Sequence, residues 1–122
     1  MAAPNIVNVT SIFGKTVGAA LGTTTTTDIL TCPTNKVLKI NSIIVSNIDG
    51  TNAADATVYF WDSSAGTRYA LAFTISVPAD ATLVVISKDM GIYLEEGDAL
   101  RCLASATGDL QAICSYEIID DA

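Results

Sequence analysis

The stretch Ile92-Tyr93-Leu94-Glu95-Glu96-Gly97-Asp98-Ala99-Leu100, with the alternating segments that follow it to Ile119, constrains the architecture more than any other part of the chain. Glu95-Glu96-Gly97-Asp98 is a polar turn whose glycine is free to take positive φ, and the residues on either side alternate apolar and polar with the period of a pleated strand. The pattern reads as the closing hairpin of a β-sandwich. Turn signals of the same kind come about every ten residues: Gly14, Gly18, Gly22, Pro33-Thr34-Asn35, Asp49-Gly50-Thr51-Asn52, Asp62 to Gly66, Pro78-Ala79-Asp80, Asp89-Met90-Gly91 and Thr107-Gly108-Asp109. Short strands at this spacing predict an all-β, single-domain antiparallel β-sandwich, jelly-roll or Greek-key like, with eight or nine strands. The strands are expected near 5–13, 23–32, 36–47, 55–62, 67–76, 80–88, 91–94, 98–106 and 110–119. Three glycines between 14 and 22 count against a helix over 16–21.

Alternation also assigns faces. Leu100, Cys102, Ala104 and Ala106 share one face, and Leu110, Ala112, Cys114, Tyr116 and Ile118 share another. If Thr107-Gly108-Asp109 closes a hairpin, Ala106 opposes Leu110 and Cys102 falls opposite Cys114, either as a cross-strand disulfide or as two small core side chains. The segment 36–47 carries apolar groups on both faces, Leu38, Ile40 and Ile44 against Val37, Ile43 and Val45, and so reads as a central strand. Ala56, Val58 and Phe60 oppose Thr57, Tyr59 and Trp61 in the same way; either that strand is covered on both sides or Tyr59 and Trp61 project as anchors for another chain or ligand. The run Thr23–Thr27 suits an edge strand or a loop.

Composition narrows function mainly by exclusion. Thirteen acidic against six basic residues give a net charge of −7, which disfavours contact with nucleic acid phosphates and anionic membranes. No stretch approaches the roughly 18 apolar residues of a membrane helix, and Met1 to Asn5 lacks the features of a secretory signal, so a soluble protein made in a cytoplasm is expected. With no histidine there is no Ser-His or Cys-His pair and no His-based metal site, and the three cysteines lack C-x-x-C spacing, so buried reduced thiols are expected. No phosphate-binding loop or dinucleotide fingerprint is present. A carboxylate pair from Glu95, Glu96 and Asp98, or a calcium site at Asp49-Gly50-Thr51-Asn52 with Asp55 or at Asp120-Asp121, reads more simply as solvated turns. The expectation is therefore a protein with neither enzymatic activity nor a cofactor. Only 16% of residues are charged, against roughly 25% in an average domain, which points to surface covered by a partner.

Several segments together carry a family resemblance: Asn5-Ile6-Val7-Asn8-Val9, Lys39 to Asn47 with Asp49 to Asp55, Ile75 to Ile86, and Tyr93-Leu94-Glu95-Glu96-Gly97-Asp98 to Cys114-Ser115-Tyr116-Glu117. In these the chain resembles small virion proteins of marine and cyanobacterial tailed phages, of the capsid decoration (cement) kind. The resemblance implies a single β-sandwich domain that trimerises, clamps neighbouring major capsid subunits on the outside of the shell, and has no catalytic residues. It implies residues 23–122 as the sandwich domain and 1–22 as an N-terminal arm or first strand. The candidate protein interface is then Ile6, Val7, Ile12 and Phe13 with Tyr59 and Trp61. Two other readings stay open: a neck, tail or fibre-associated virion module, and a glycan-binding module using Tyr59 and Trp61.

Overall fold

In the computed structural model, residues 9–23 and 27–121 are described. Nine strands follow in order: β1 (Val9–Ala20), β2 (Thr27–Thr31), β3 (Lys36–Asn47), β4 (Ala54–Asp62), β5 (Thr67–Val77), β6 (Thr82–Ile86), β7 (Ile92–Leu94), β8 (Ala99–Ala104) and β9 (Leu110–Asp121). No helix occurs among the described residues. All pairings are antiparallel, so the chain is an all-β antiparallel sandwich.

The first sheet runs β1-β9-β3-β6, with β7 continuing along the same edge of β3; the second runs β2-β8-β4-β5. The pairs β1 with β9, β2 with β8, β3 with β6 and β7, and β4 with β5 nest inside one another, as if one long hairpin had been rolled up. That nesting is a jelly roll. Buried Leu38, Ile40, Ile43 and Val45 of β3, with Leu110, Ala112 and Cys114 of β9, face Ala56 and Val58 of β4 and Leu100, Cys102 and Ala104 of β8 across the core. Each fully buried Leu, Ile or Val contributes about 1.5–3 kcal/mol by leaving water.

Three expectations are corrected. First, β7, β8 and β9 are not successive hairpins of one sheet: the chain crosses from sheet 1 to sheet 2 at 95–98 and back at 105–109. Inward residues of either sheet alternate alike, so the pattern is blind to which sheet a strand joins. Cys102 consequently pairs with Val58 and Thr27, Cys114 with Val17 and Ile43; both are free, buried thiols in the shared core. Ala106 lies in the connecting turn, where Gly108 takes φ +86. Second, β1 runs through Gly14 and Gly18 to Ala20 instead of ending near 13, because ladder bonds to β9 outweigh the turn tendency of isolated glycines. Third, β3 keeps one parity only to Ile40. An irregularity between Ile40 and Ser42 moves Ile43, Val45 and Asn47 inward and Ile44 outward.

Both ends of the sandwich are tied by buried polar side chains. Asn47 donates from Nδ2 to the carbonyls of Asn52 (2.9 Å) and Val77 (3.0 Å) and accepts the Asp49 N–H at 2.9 Å. At the other end, buried Asp98 accepts the N–H groups of Ser63 (2.9 Å) and Glu95 (3.1 Å). Each network satisfies loop backbone groups that the strands leave unpaired.

Candidate interaction surfaces

The outward positions of sheet 1 follow from its register. Val84, Ile44, Ile113 and Gly18 form one row across the four strands; Thr82, Ser46, Gln111 and Ala20 form the next. Val84 and Ile113 are exposed, as is Tyr93, which pairs with Lys39. Hydroxyl pairs lie between these apolar groups: Ser46 with Thr82 at 3.2 Å and Thr16 with Ser115 at 3.4 Å. One ion pair, Lys39 with Glu117 at 3.9 Å, is the main charge on this face. In a chain of net charge −7, it is a nearly neutral surface with exposed aliphatic groups.

The outer face of sheet 2 is built differently. Tyr59 pairs with Arg101 and Trp61 with Arg68, and each arginine reaches diagonally to the other ring: the Arg68 guanidinium lies 4.1 Å over Tyr59 and that of Arg101 lies 4.2 Å over Trp61. Arg101 Nε also donates to Asp28 Oδ1 at 2.7 Å. Stacking on an aromatic face suits the weakly hydrated guanidinium, and Asp28 on β2 fixes its direction. Tyr59 is only 8% exposed beneath this layer and Trp61 is half-buried. Thr57, on the same face, accepts the Thr74 N–H at 3.1 Å, holding Thr74 at φ +48 where β5 loses register with β4.

The candidate interface residues therefore do not form one patch. Ile12 (51% exposed) and Phe13 (53%) lie on β1 of sheet 1, whereas Tyr59 and Trp61 face outward from sheet 2. Ile6 and Val7 lie outside the described residues, as does most of the threonine run. Sequence reasoning missed Val84, Tyr93 and Ile113, and also Tyr69, Phe73 and Ile75 of β5, all exposed. Their alternation is that of a core strand; Val84, Tyr93 and the β5 residues lie on edge strands, and Ile113 faces outward from the inner strand β9. A shallow groove of about 350 Å³ lies over Gly18, Ala19, Ala20, Gln111, Ala112 and Ile113.

Four of the acidic groups considered for chemistry, Asp49, Glu96, Asp98 and Asp120, are engaged in hydrogen bonds or ion pairs. Asp49 accepts the N–H groups of Thr51 (2.8 Å) and Asn52 (3.3 Å), which hold its carboxyl below the usual range. Glu96 accepts the Asn35 N–H at 3.0 Å, and Asp120 pairs with Lys36 and accepts from Ser11. Among the described residues no group of three His, Cys, Asp or Glu side chains is arranged to hold a metal ion. Burial pushes the thiol of Cys32 up to about 11 and those of Cys102 and Cys114 up to about 12.

No family model matches the chain, and no curated protein matches it. Among solved structures, a chain of the Bacillus endospore appendages, described as a novel family of disulfide-linked pili, is similar with a TM-score of 0.54 and 16% identity, over 92% of this chain and 90% of that one. At that identity the likeness concerns the fold alone. All three cysteines here are buried, so none is presented for a bond between molecules. The chain thus shares an all-β sandwich fold with a pilus protein.

Proposed function

We propose that this protein is a non-enzymatic virion protein of the capsid decoration (cement) kind, which binds the outer shell of a phage head and stabilises contacts between major capsid subunits. The observation that carries this reading is the outer face of sheet 1: a pleated, nearly neutral surface bearing exposed Val84, Ile113 and Tyr93 on a strongly acidic domain. Such a surface suits broad protein contact, where apolar groups supply area and the lack of charge keeps desolvation inexpensive. The family resemblance of the sequence supports the same reading. The face of sheet 2 is less suited to docking, and to stacking sugars, because both aromatic rings already carry an arginine.

The test is co-sedimentation of the purified protein with expanded phage heads that lack it. Val84→Asp introduces a carboxylate into the exposed apolar row of the sheet 1 face, away from β1, and binding is expected to weaken by more than about tenfold, a loss of at least ~1.4 kcal/mol. Wild-type affinity in that variant, with its fold intact, contradicts the assignment of this face.

A second reading, a fibre or tail-associated subunit, is favoured by the likeness to a pilus protein. The two differ in copy number: hundreds per particle for a shell protein, a dozen or fewer at a neck or tail.

A further inference from the structure

We propose that two copies of this chain pair through the edges of their β1 strands that no described strand covers, antiparallel about a two-fold axis at Thr16, so that their larger sheets join into one. This goes beyond the capsid reading and does not depend on it, and it gives two copies where the family resemblance implies three.

The first reason is the state of the sheet edges. Natural edges are blunted by shortness, bulges or charge. β2 and β6 have five residues each, β7 has three, and β5 loses register with β4 at two places. β1 is less protected: it has twelve residues, its one irregularity lies at its start between Val9 and Ile12, and Lys15 is its one charged side chain. From Ile12 to Ala20 it pairs with β9 without a single register shift, and no described strand covers its other side.

Charge supplies the second reason. The chain holds thirteen acidic residues, yet none falls between Val9 and Ala20, where Lys15 is the one charged side chain. Two molecules of net charge −7 repel at most points of contact, and this edge is where the repulsion is least.

Shape decides the occupant. One end of the edge is bulky, with Ile12 and Phe13 about half exposed; the other end is Gly18-Ala19-Ala20, which with Gln111, Ala112 and Ile113 forms the shallow groove of about 350 Å³. Antiparallel pairing centred on Thr16 brings each bulky end to the other copy's small end. Ile12 falls opposite Ala20 of the second copy, Phe13 opposite its Ala19, and Gly14 opposite its Gly18. Ile12, Gly18 and Ala20 share the outward face of sheet 1, so the isoleucine enters the groove from the correct side. Lys15 meets Val17, which keeps the two ammonium groups apart. A centre at Lys15 would oppose them directly, and a centre at Val17 would carry Ile12 and Phe13 past the groove. The strand is complementary to itself in one register.

The experiment is analytical ultracentrifugation of the full chain over a concentration series, combined with single-cysteine cross-linking. Wild type is expected to reach twice its 12.7 kDa mass. Gly18→Glu is expected to weaken association by more than about tenfold while leaving unchanged the thermal melt taken at dilutions where both proteins are monomeric. The nearest atoms to a side chain there, Ala112 O at 3.7 Å and Ile113 Cγ1 at 4.0 Å, leave room in the single molecule. Thr16→Cys is expected to form a disulfide-linked dimer on mild oxidation. Phe13→Cys is expected not to, since the two copies' positions 13 lie six residues apart along the pair, about 20 Å. The native thiols are buried and leave the readout clean. A monomer at all concentrations, a trimer, a dimer indifferent to Gly18→Glu, or cross-linking at 13 in place of 16 would overturn the pairing.

Discussion

At the scale of single residues, the thiols give the sharpest consequence. Desolvation by the core raises all three folded pKa values, to about 11 for Cys32 and about 12 for Cys102 and Cys114, from a reference of 9.0. The neutral form is favoured in the fold, so their contribution to stability is complete below pH 9.0 and is lost as pH rises toward 12. Urea midpoints of wild type should therefore fall through this window more steeply than those of Cys102→Ala. Equal slopes would contradict the burial argument. That the cysteines are reduced and internal was legible from their spacing and the missing histidines. That Tyr59 and Trp61 lie beneath arginines was not, because Arg68 and Arg101 come from β5 and β8, whose register with β4 no local pattern encodes.

Among the elements, the turns were read well and their partners were not. Gly97 has the positive φ expected of its turn, +86, but that turn is a corner between sheets instead of a hairpin. It also packs closely: a Cβ there would lie 2.8 Å from Ser63 Oγ and 3.2 Å from its Cβ. Gly97→Ala combines backbone strain with this clash and is expected to destabilise by about 2 kcal/mol, measured by chemical denaturation; a change near zero would mean the corner is slack. The irregularity in β3 has the same lesson. Leu38, Ile40 and Ile44 were expected on one face, but one extra residue before Ser42 inverts the faces beyond it, and nothing in Lys39-Ile40-Asn41-Ser42-Ile43-Ile44 announces where it falls. In β1, continuous pairing with β9 overrides the glycines that suggested turns, and this creates the long regular edge on which self-pairing rests.

For the whole molecule, the periodic turns and the absence of helical pattern sufficed for an all-β sandwich, while the nesting of strand pairs that makes it a jelly roll depends on long-range order. Of the residues expected at an interface, Ile12 and Phe13 are exposed, whereas the sheet 1 face emerges only when Val84, Ile44 and Ile113, drawn from three strands, are set side by side. The proposed function, an added layer on a shell, rests on the neutral docking face that this acidic jelly roll presents on sheet 1. Its most direct test is quantitative mass spectrometry of purified virions, taking the molar ratio of this chain to the major capsid protein. A ratio near one, or a simple fraction of it amounting to hundreds of copies, is the predicted result; a dozen copies or fewer, or none, would contradict decoration.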